Sequence, residues 1–367
     1  MKTVILSEAK DLLSGAKADS SSPEPALSAA EGAPQNDNGQ TRTLPHQRVA
    51  FVVMIAFFAL APLAVYPVFL MKAMCFALFA CAFNLLIGYG GLLSFGHAMF
   101  LGTAGYVSAW AAKEWGFTPE LAILLGTACA AALGLVTGLL AIRRQGIYFA
   151  MTTLALAEMA YFVFLQWRSV TGGEDGLQGV PRGKLLGTIP LAGAPHDKLF
   201  GVLPIPDDVV MYFVVLAVFV AVFLFIRRIV HSPYGQVLKA IRENEPRAVS
   251  LGYDVDRYKL LAFVLSTAIA GLAGALKSIV LGFASLSDAH WSVSGEVVLM
   301  TLLGGMGTFA GPVIGAFTII GLQNLLSDRV GEWVTVIIGA IFVVCVIAFR
   351  RGFVGELLAW LQRRKRQ

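Results

Sequence analysis

The chain has 367 residues and a formal net charge of +5, with 57% hydrophobic and only 14% charged residues. Because soluble proteins carry about 25% charged residues, this composition excludes an ordinary soluble domain. The apolar residues form runs of about 20, the helix length that crosses ~30 Å of hydrocarbon, whereas strands of membrane barrels are about ten residues long. We expect an all-α, polytopic membrane protein with about eight to ten transmembrane or re-entrant helices.

The first residues differ in kind from the rest. They are rich in serine, proline and glutamine, which bury too little apolar area to offset the entropy cost of ordering. The first long apolar run starts only near Val49, too late for an ordinary signal peptide. We expect a disordered tail at 1–48. An incorrectly assigned start of the chain is the alternative explanation for the unusual composition of these residues. A transmembrane domain should follow at 49–350, and a basic cytoplasmic tail at 351–367.

Nine apolar spans are expected along the chain, at 49–71, 73–88, 91–112, 119–142, 146–168, 208–228, 259–283, 295–325 and 332–349. Basic patches assign their sides, because cytoplasmic loops carry an excess of lysine and arginine. The patches at 143–144, 227–228, 239–242 and 350–366 are therefore expected in the cytoplasm. The loop 171–207 then lies outside.

Glycines interrupt the segment 295–325 near its middle. If this segment crossed the membrane once, the span at 332–349 would carry the basic tail to the wrong face. We therefore expect a broken, re-entrant pair of half-helices, since irregular backbone at membrane depth is tolerated only inside protein or along a wet cavity. One long tilted helix, with an extracellular N-terminus of the chain, is the alternative.

A second glycine break lies in the other half of the chain. Residues 90–95 (GGLLSF) and 304–309 (GGMGTF) share the pattern GGxx[ST]F. Two glycine-interrupted apolar segments in corresponding halves are typical of an internal repeat around a translocation pathway, although small residues also simply let helices pack closely. The first interpretation assigns pathway roles to Gly90, Gly91, Ser94, Gly304, Gly305 and Gly307.

Ionisable residues within spans mark functional sites by default, because burying a charge in lipid is costly. Glu158 lies in the middle of the span 146–168, where it either lines the pathway or makes a structural hydrogen bond to another helix. His97 follows the first glycine break and is a second pathway candidate, although a packing histidine bonded to a carbonyl group is the simpler interpretation. Asn84, just before that break, could cap or bridge the interrupted backbone.

No motif supports catalysis or a metal site. The pattern GxxxxGK[ST] is absent, so the chain has no P-loop, and residues 305–310 fit GxGxxA without the strand–helix context that a dinucleotide site requires. The cysteines lie in apolar spans without metal-ligand spacing. We therefore interpret them as small buried apolar residues, and we expect neither a zinc site nor a disulfide. The four cysteines are Cys75, Cys81, Cys129 and Cys345.

A polar, charged segment from His231 to Leu261 interrupts this apolar chain. Its helical pattern ends at Gly252, and another apolar span follows directly. A protein that only crossed a bilayer would not need such a segment. We interpret residues 231–258 as a cytoplasmic coupling loop, on which another protein acts.

Five segments carry a resemblance to a known family: NLLIGYGGLLSFGHAMFLGTAGY (84–106), GIYFAMTTLALAEM (146–159), TGGEDGLQGVP (171–181), SPYGQVLKAIRENEPRAVSLGYDVDRYKLLAFVLS (232–266) and SGEVVLMTLLGGMGTFAGPVIGA (294–316). Together they resemble the permease subunits of ATP-binding-cassette (ABC) importers for branched-chain amino acids, specifically the longer of the two permeases in such systems. The resemblance covers residues 50–350. The motifs are specific as a set, unlike any one alone.

The resemblance implies a role for the coupling loop. Glu245, Ala248 and Gly252 fit the family's E-x-x-A-x-x-x-G loop, a short helix and turn that sit in a groove of the ATPase subunit, although Pro246 departs from its Glu-Ala-Ala wording. Coupling is thereby assigned to Arg242, Glu243, Glu245, Ala248 and Gly252. Contact with a binding protein is assigned to the outer loop residues Thr171, Gly172, Gly173 and Asp175.

The resemblance also implies partners and a location. These are a second permease subunit, two ATPase subunits that hold ATP and magnesium, and a periplasmic or lipid-anchored binding protein, all at the bacterial inner membrane among lipids. We expect that this chain binds no cofactor, has no enzymatic activity of its own and has no nucleic-acid partner. Related permeases for urea, short amides or other amino acids are the alternative, and a stand-alone secondary transporter with Glu158 as proton site is a more distant one.

Overall fold

The computed structural model describes residues 54–63, 65–144, 146–185, 189–190, 198–199, 203–204, 208–333, 336–341 and 343. The predicted tails at 1–48 and 351–367, and Cys345, lie outside the described residues. The chain forms two compact units, 1–56 and 57–367, and nearly all described residues belong to the second.

Helices make up most of the described chain. The principal ones are α1 Pro67–Asn84, α2 His97–Lys113, α3 Pro119–Ala141, α4 Ile147–Gln166, α5 Val209–His231, α6 Pro233–Glu243, α7 Glu245–Ser250, α8 Val255–Leu281, α9 Trp291–Gly304 and α10 Gly311–Val330. Helical runs also occupy 54–60 and 336–341, and one-turn helices are Ala61–Leu63, Arg168–Thr171, Gly173–Asp175, Leu286–Ala289 and Gly331–Trp333. A π-helical turn, Leu85–Tyr89, extends α1.

Five helices of the described chain are long and apolar enough to cross a membrane: α1 with its π-helical turn, α3, α4, α5 and α8. This confirms the prediction of an all-α, polytopic membrane protein. The strands are two residues long and pair antiparallel as β1 Leu177–Gln178 with β6 Phe283–Ala284, β2 Lys184–Leu185 with β3 Ile189–Pro190, and β4 Lys198–Leu199 with β5 Leu203–Pro204. The first pair ties the outer loop to the end of α8.

One predicted span boundary is wrong. The expected division between 49–71 and 73–88 falls inside α1, which runs without interruption from Pro67. The chain turns instead before Pro67, because proline suits the first position of a helix, where its missing N–H would have no partner in any case. A half-buried lysine, Lys72, therefore lies within the helix rather than between two helices.

Helix α8 is the centre of the bundle and packs against α1, α2 and α3. Small residues allow the close approach: a Cβ atom added to Gly274 would lie 2.0 Å from Leu101 O, and one added to Gly271 would lie 2.3 Å from Ala130 Cβ. In a membrane, such contacts supply much of the packing energy that apolar burial supplies in water. The close-packing interpretation of the small residues therefore holds for this helix.

Helices α9 and α10 form an antiparallel hairpin. A Cβ on Gly304 would lie 1.8 Å from Gly311 O, and one on Gly315 would lie 1.8 Å from Met300 O, so positions pair in opposite directions along the two helices. The predicted break and return of the segment 295–325 are confirmed, and the alternative of one long tilted helix is wrong.

The position of the break differs from the expectation. It lies at the end of the hairpin and contacts the coupling loop, instead of lying midway across the membrane. The physical reason is the length of the arms. With a rise of ~1.5 Å per residue, α9 spans ~21 Å and α10 spans ~30 Å, so each arm crosses most of the hydrocarbon by itself.

Cysteine labelling tests this topology. We expect cysteines at Glu296 and Asp328, which belong to the two arms of the hairpin, to react with an impermeant reagent from the same outer face. A cysteine at Asp175 should react from that face too, and one at Lys365 only after permeabilisation. Labels at positions 296 and 328 on opposite faces would contradict the hairpin's predicted orientation.

Candidate functional site

The coupling loop folds as two short capped helices. Ser232 starts α6, where its Oγ accepts a hydrogen bond from the Gly235 N–H at 3.3 Å, and Pro233 takes the first helical position. Asn244 is extended, ends α6 and starts α7, and its Oδ1 accepts from the Arg247 N–H at 3.0 Å. Serine and asparagine are preferred at helix starts because their side chains satisfy such free N–H groups.

This pair of helices is fastened to the beginning of α8. Ile241, Ala248 and Val255 form a small buried core, and the Lys259 ammonium lies 2.7 Å from the Glu245 carboxylate. The Tyr234 hydroxyl donates to Tyr258 O at 2.9 Å. Movement of α6 and α7 would therefore be passed directly to the central helix.

Three of the predicted coupling residues serve this internal structure. Ala248 is buried, and Glu245 is paired with Lys259 within the chain. The Arg242 guanidinium reaches inward to a backbone carbonyl. Glu243 and Gly252 are exposed, and Gly252 adopts φ +87° with no atom within 4 Å of an added Cβ.

The two glycine breaks meet beside α6. Asn84 joins them: its Oδ1 accepts from the Gly307 N–H at 2.9 Å, and its Nδ2 donates to Thr308 O at 3.0 Å. A Cβ on Gly88 would lie 2.2 Å from Asn84 Oδ1 and 2.8 Å from Gly307 N, so this close approach needs a glycine. The predicted bridging role of Asn84 is confirmed.

Arg242 reaches the same point from the coupling loop. Its guanidinium donates to Gly88 O, and a Cβ on Gly307 would lie 3.6 Å from Arg242 Nη1. Gly91, at φ +70°, leaves room for the Arg242 side chain, whose Cγ would lie 3.0 Å from an added Cβ. A cation at the carbonyl end of a helix is favourable, because the helix dipole is negative there. We call Asn84, Gly88, Gly307, Thr308 and Arg242 the junction.

Aromatic contacts surround the junction. The Lys239 ammonium lies 5.7 Å from the centre of the Tyr89 ring, and burial lowers the pKa of Lys239, although Glu243 opposes this shift. The Phe309 ring lies 6.0 Å from the Tyr89 ring and stacks on His231 at 5.2 Å. Residues beside both breaks are thus held against the end of α5 and the face of α6.

The end of the coupling loop, around Gly252, is exposed and partly apolar. Val249, Leu251 and Tyr253 are 57%, 69% and 40% exposed, and they flank Gly252. Sequence reasoning selected the charged residues here and missed these three. The available signal was three apolar residues within a polar stretch that also contains the helix-ending glycine.

The other predicted pathway residues of the first half lie deep in the bundle. His97 is fully buried; its Nε2 lies 2.8 Å from Ser266 Oγ, and four phenylalanine rings surround it, from Phe79, Phe83, Phe100 and Phe263. Ser94 is buried and accepts from the Gly96 N–H at 3.3 Å. Gly90 contacts Leu238 of α6. In the second half, Gly304 and Gly305 form the turn of the hairpin.

The beginning of the outer loop, residues 171–176, is held by hydrogen bonds and glycine turns. Thr171 is buried, and its Oγ1 donates to Phe164 O at 2.5 Å and accepts from the Gly173 N–H at 3.2 Å. Gly172 and Gly173 have φ +76° and +65°, conformations that favour glycine. Asp175 is exposed. The loop thus presents its carboxylate to solvent from a rigid base.

Among the described residues, no group of three histidine, cysteine or acidic side chains could hold a metal ion. Cys75 and Cys81 are buried and not in a disulfide.

Comparison with known proteins identifies the family. The family model described as branched-chain amino acid transport system / permease component matches residues 67–346. The LivM proteins of Salmonella typhimurium and Escherichia coli, each a high-affinity branched-chain amino acid transport system permease protein, are both 29% identical to this chain over 282 residues, covering 75% of it and 66% of the relative.

A second kind of relative matches a shorter region. The xylose transport system permease protein XylH of Escherichia coli is 31% identical over 122 residues, which cover 31% of each chain. No solved structure matches the chain. The chain spans just under two thirds of the length of the LivM relatives. Because the family model covers most of it, the chain belongs to the family of branched-chain amino acid transport permease components.

Proposed function

We propose that this chain is a permease subunit of an ABC importer that carries branched-chain amino acids across the bacterial inner membrane. The observation that carries the proposal is the hydrogen bond from Arg242 of the coupling loop to Gly88 O within the junction. Through it, a loop with an exposed apolar side touches the two places where the membrane helices are interrupted. Family membership and the names of the LivM relatives supply the substrate class.

The partners are part of the same proposal. The exposed face of Val249, Leu251 and Tyr253 is the docking surface for one ATPase subunit, since apolar side chains beside a helix end fit a groove on a partner. ATP and magnesium bind to two such subunits, and this chain is a transport subunit without an ATPase site. A second permease subunit completes the membrane part, and a binding protein delivers substrate at the outer loop.

Uptake by the reconstituted complex tests this function. Proteoliposomes that contain both permeases and both ATPases should accumulate leucine when loaded binding protein is outside and ATP inside. Complexes without the ATPases should not. Urea, other amino acids and xylose complete the panel, because XylH is also similar to part of this chain. Transport without ATPase subunits would contradict the proposal.

The turn at Gly252 gives a sharper test of docking. Valine there must adopt a positive φ, which costs about 1–2 kcal/mol, and this strain should displace the exposed turn. We expect Gly252→Val to insert normally, to bind the ATPase weakly and to lose uptake.

Gly146 supplies the matched control. It has φ +59°, no neighbouring atom within 4 Å of an added Cβ and a position on the same predicted cytoplasmic face, but it lies outside the coupling loop. Gly146→Val should keep ATPase binding. Normal stimulation of ATP hydrolysis by loaded binding protein in Gly252→Val would contradict the docking role.

A further inference from the structure

Helix α4 carries a carboxylate with one oxygen that no described residue satisfies. Glu158 lies near the middle of this apolar helix, and its Oε1 atom is buried without a hydrogen-bond partner among the described residues. A buried, unpaired polar atom costs about 1–3 kcal/mol, and more when it is charged. The group needs a cation or donor from outside the described part of the chain.

The surroundings of Glu158 are a groove rather than a packed helix contact. The groove has a volume of about 610 Å³ and runs along α4, lined by Ala155, Glu158, Met159, Phe162, Val163 and Gln166. All six residues belong to α4, so the groove is open on its other side and a second molecule must complete any site here. Met159 and Phe162 are 64% and 57% exposed, so another molecule can reach the groove.

Lipid does not fit this face. An ionisable group in a membrane helix faces a protein interior or a wet cavity, because exposure to hydrocarbon is costly. Of the five helices long enough to cross a membrane, α4 is the least buried within the described chain. The face of α4 that carries Glu158 is therefore covered by another subunit, and the paired permease is the partner that the proposed function supplies.

A polar pocket lies next to the groove on the predicted outer side. It has a volume of about 300 Å³ and is lined by Tyr161, Glu174, Ser285, Leu286, Ser287, His290 and Ser292. Tyr161 is one helical turn from Glu158, about 4.5 Å along the axis at ~1.5 Å per residue. Glu174 belongs to the outer loop, so the pocket connects that loop with α4.

The first glycine break follows in the other direction. Thr153 of α4 accepts from the Phe95 N–H at 3.2 Å, about 7.5 Å from Glu158 along the axis at ~1.5 Å per residue. At 3.6 residues per turn, Thr153 lies about 140° around the helix from Glu158, so α4 holds the first break on one face and carries the carboxylate on another.

We propose that Glu158 binds the ammonium group of the transported amino acid, while Met159 and Phe162 contact its aliphatic side chain, at the interface with the second permease. The site takes a cationic amine joined to an apolar chain, which is the chemistry of a branched-chain α-amino acid. A neutral sugar can donate hydroxyl hydrogen bonds to the carboxylate, but it has neither a cation for Glu158 nor an aliphatic side chain for Met159 and Phe162. The inference rests on the proposed function and adds the group that recognises the substrate.

Charge replacement in the assembled transporter tests the inference. In proteoliposomes with both permeases, both ATPases and leucine-loaded binding protein, we expect Glu158→Gln to lower leucine uptake at least tenfold while ATP hydrolysis continues. Glu158→Asp should retain more uptake than Glu158→Gln. Glu114→Gln is the matched control, since Glu114 is an exposed carboxylate at the end of α2, and it should transport at the wild-type rate.

A chemical variant removes the effect of misfolding. Glu158→Cys, in a chain whose other cysteines are replaced, should recover uptake after reaction with an anionic sulfonatoethyl reagent and not after a cationic trimethylammonium reagent. Equal uptake after both reagents, or wild-type uptake by Glu158→Gln, would overturn the inference. ATP-dependent leucine uptake by the unmutated transporter would still uphold the proposed function. Failure of the inference about Glu158 and failure of the proposed function are therefore distinguishable.

Discussion

Replacing Lys277 by methionine should destabilise the protein more than any of the other single substitutions proposed for it. Lys277 is 7% exposed, its ammonium pairs with the Asp288 carboxylate, and it lies 4.9 Å from the centre of the Phe76 ring. Removing one partner of a buried ion pair leaves an uncompensated charge, at a cost of about 3–5 kcal/mol. We expect a large fall in the thermal unfolding temperature in detergent.

Two controls separate charge burial from the loss of packing. The double change Lys277→Met with Asp288→Leu should recover most of the stability, because apolar pairs of similar volume replace buried ion pairs at little cost. Arg257→Met breaks the exposed pair with Asp254 at the other end of α8, where Arg257 is 86% exposed, and should cost at most about 1 kcal/mol. Equal destabilisation by Lys277→Met and Arg257→Met would contradict the structural role.

The charges around this pair explain why it is sensitive. Lys72 of α1 and Glu296 of α9 interact electrostatically with Lys277 and Asp288, and Glu296 is hydrogen-bonded to Gln323 of α10. The cluster thereby joins α1, α8 and both arms of the hairpin. Loss of Lys277 changes the balance of the whole group, so its effect should exceed that of one isolated pair.

Replacing Arg242 by alanine should slow uptake strongly while leaving the ATPase bound. Arg242 is the contact between the coupling loop and Gly88 O at the junction, and a hydrogen bond from a charged group contributes about 1.5–3 kcal/mol. Its loss would change the balance between two conformations by about tenfold or more. We expect Arg242→Ala to bind ATPase and to transport at least tenfold more slowly.

Comparison with other variants identifies the step that fails. Arg242→Lys should also be impaired, because a lysine lacks the planar set of donors that guanidinium offers. Gly252→Val should lose ATPase binding and uptake together, whereas Arg242→Ala should lose only uptake. Arg144→Ala, at an exposed position on the same predicted face, is the control. Wild-type uptake by Arg242→Ala would show that the junction does not transmit movement.

Most of the fold could be predicted from the sequence because its signals are local. Apolar runs of membrane-spanning length mark helices wherever they occur, and SPYG and NEPR carry the serine, asparagine and proline that start α6 and α7. The break in 295–325 was also predictable, because Gly304, Gly305, Gly307, Gly311 and Pro312 cluster there, whereas the isolated glycines of α8 leave that helix continuous. The boundary inside α1 was wrong because Lys72 interrupts the hydropathy without interrupting the helix.

The candidate site depended on contacts between residues far apart in the chain. Asn84 and Gly307 are separated by 223 positions, and Arg242 and Gly88 by 154, so no local pattern shows that they meet. For the same reason, the sequence could not show that Arg242, rather than the neighbouring Glu243, reaches the Gly88 carbonyl.

The sequence by itself determined that this chain is a helical membrane protein with glycine breaks, a polar loop and a lone carboxylate at Glu158, because composition and spacing decide these properties. Tertiary structure alone decided that the breaks meet under α6 and that Glu158 borders an open groove. The physical reason is that hydrogen bonding and burial depend on which helices become neighbours, and helix neighbours are set by packing across the whole bundle.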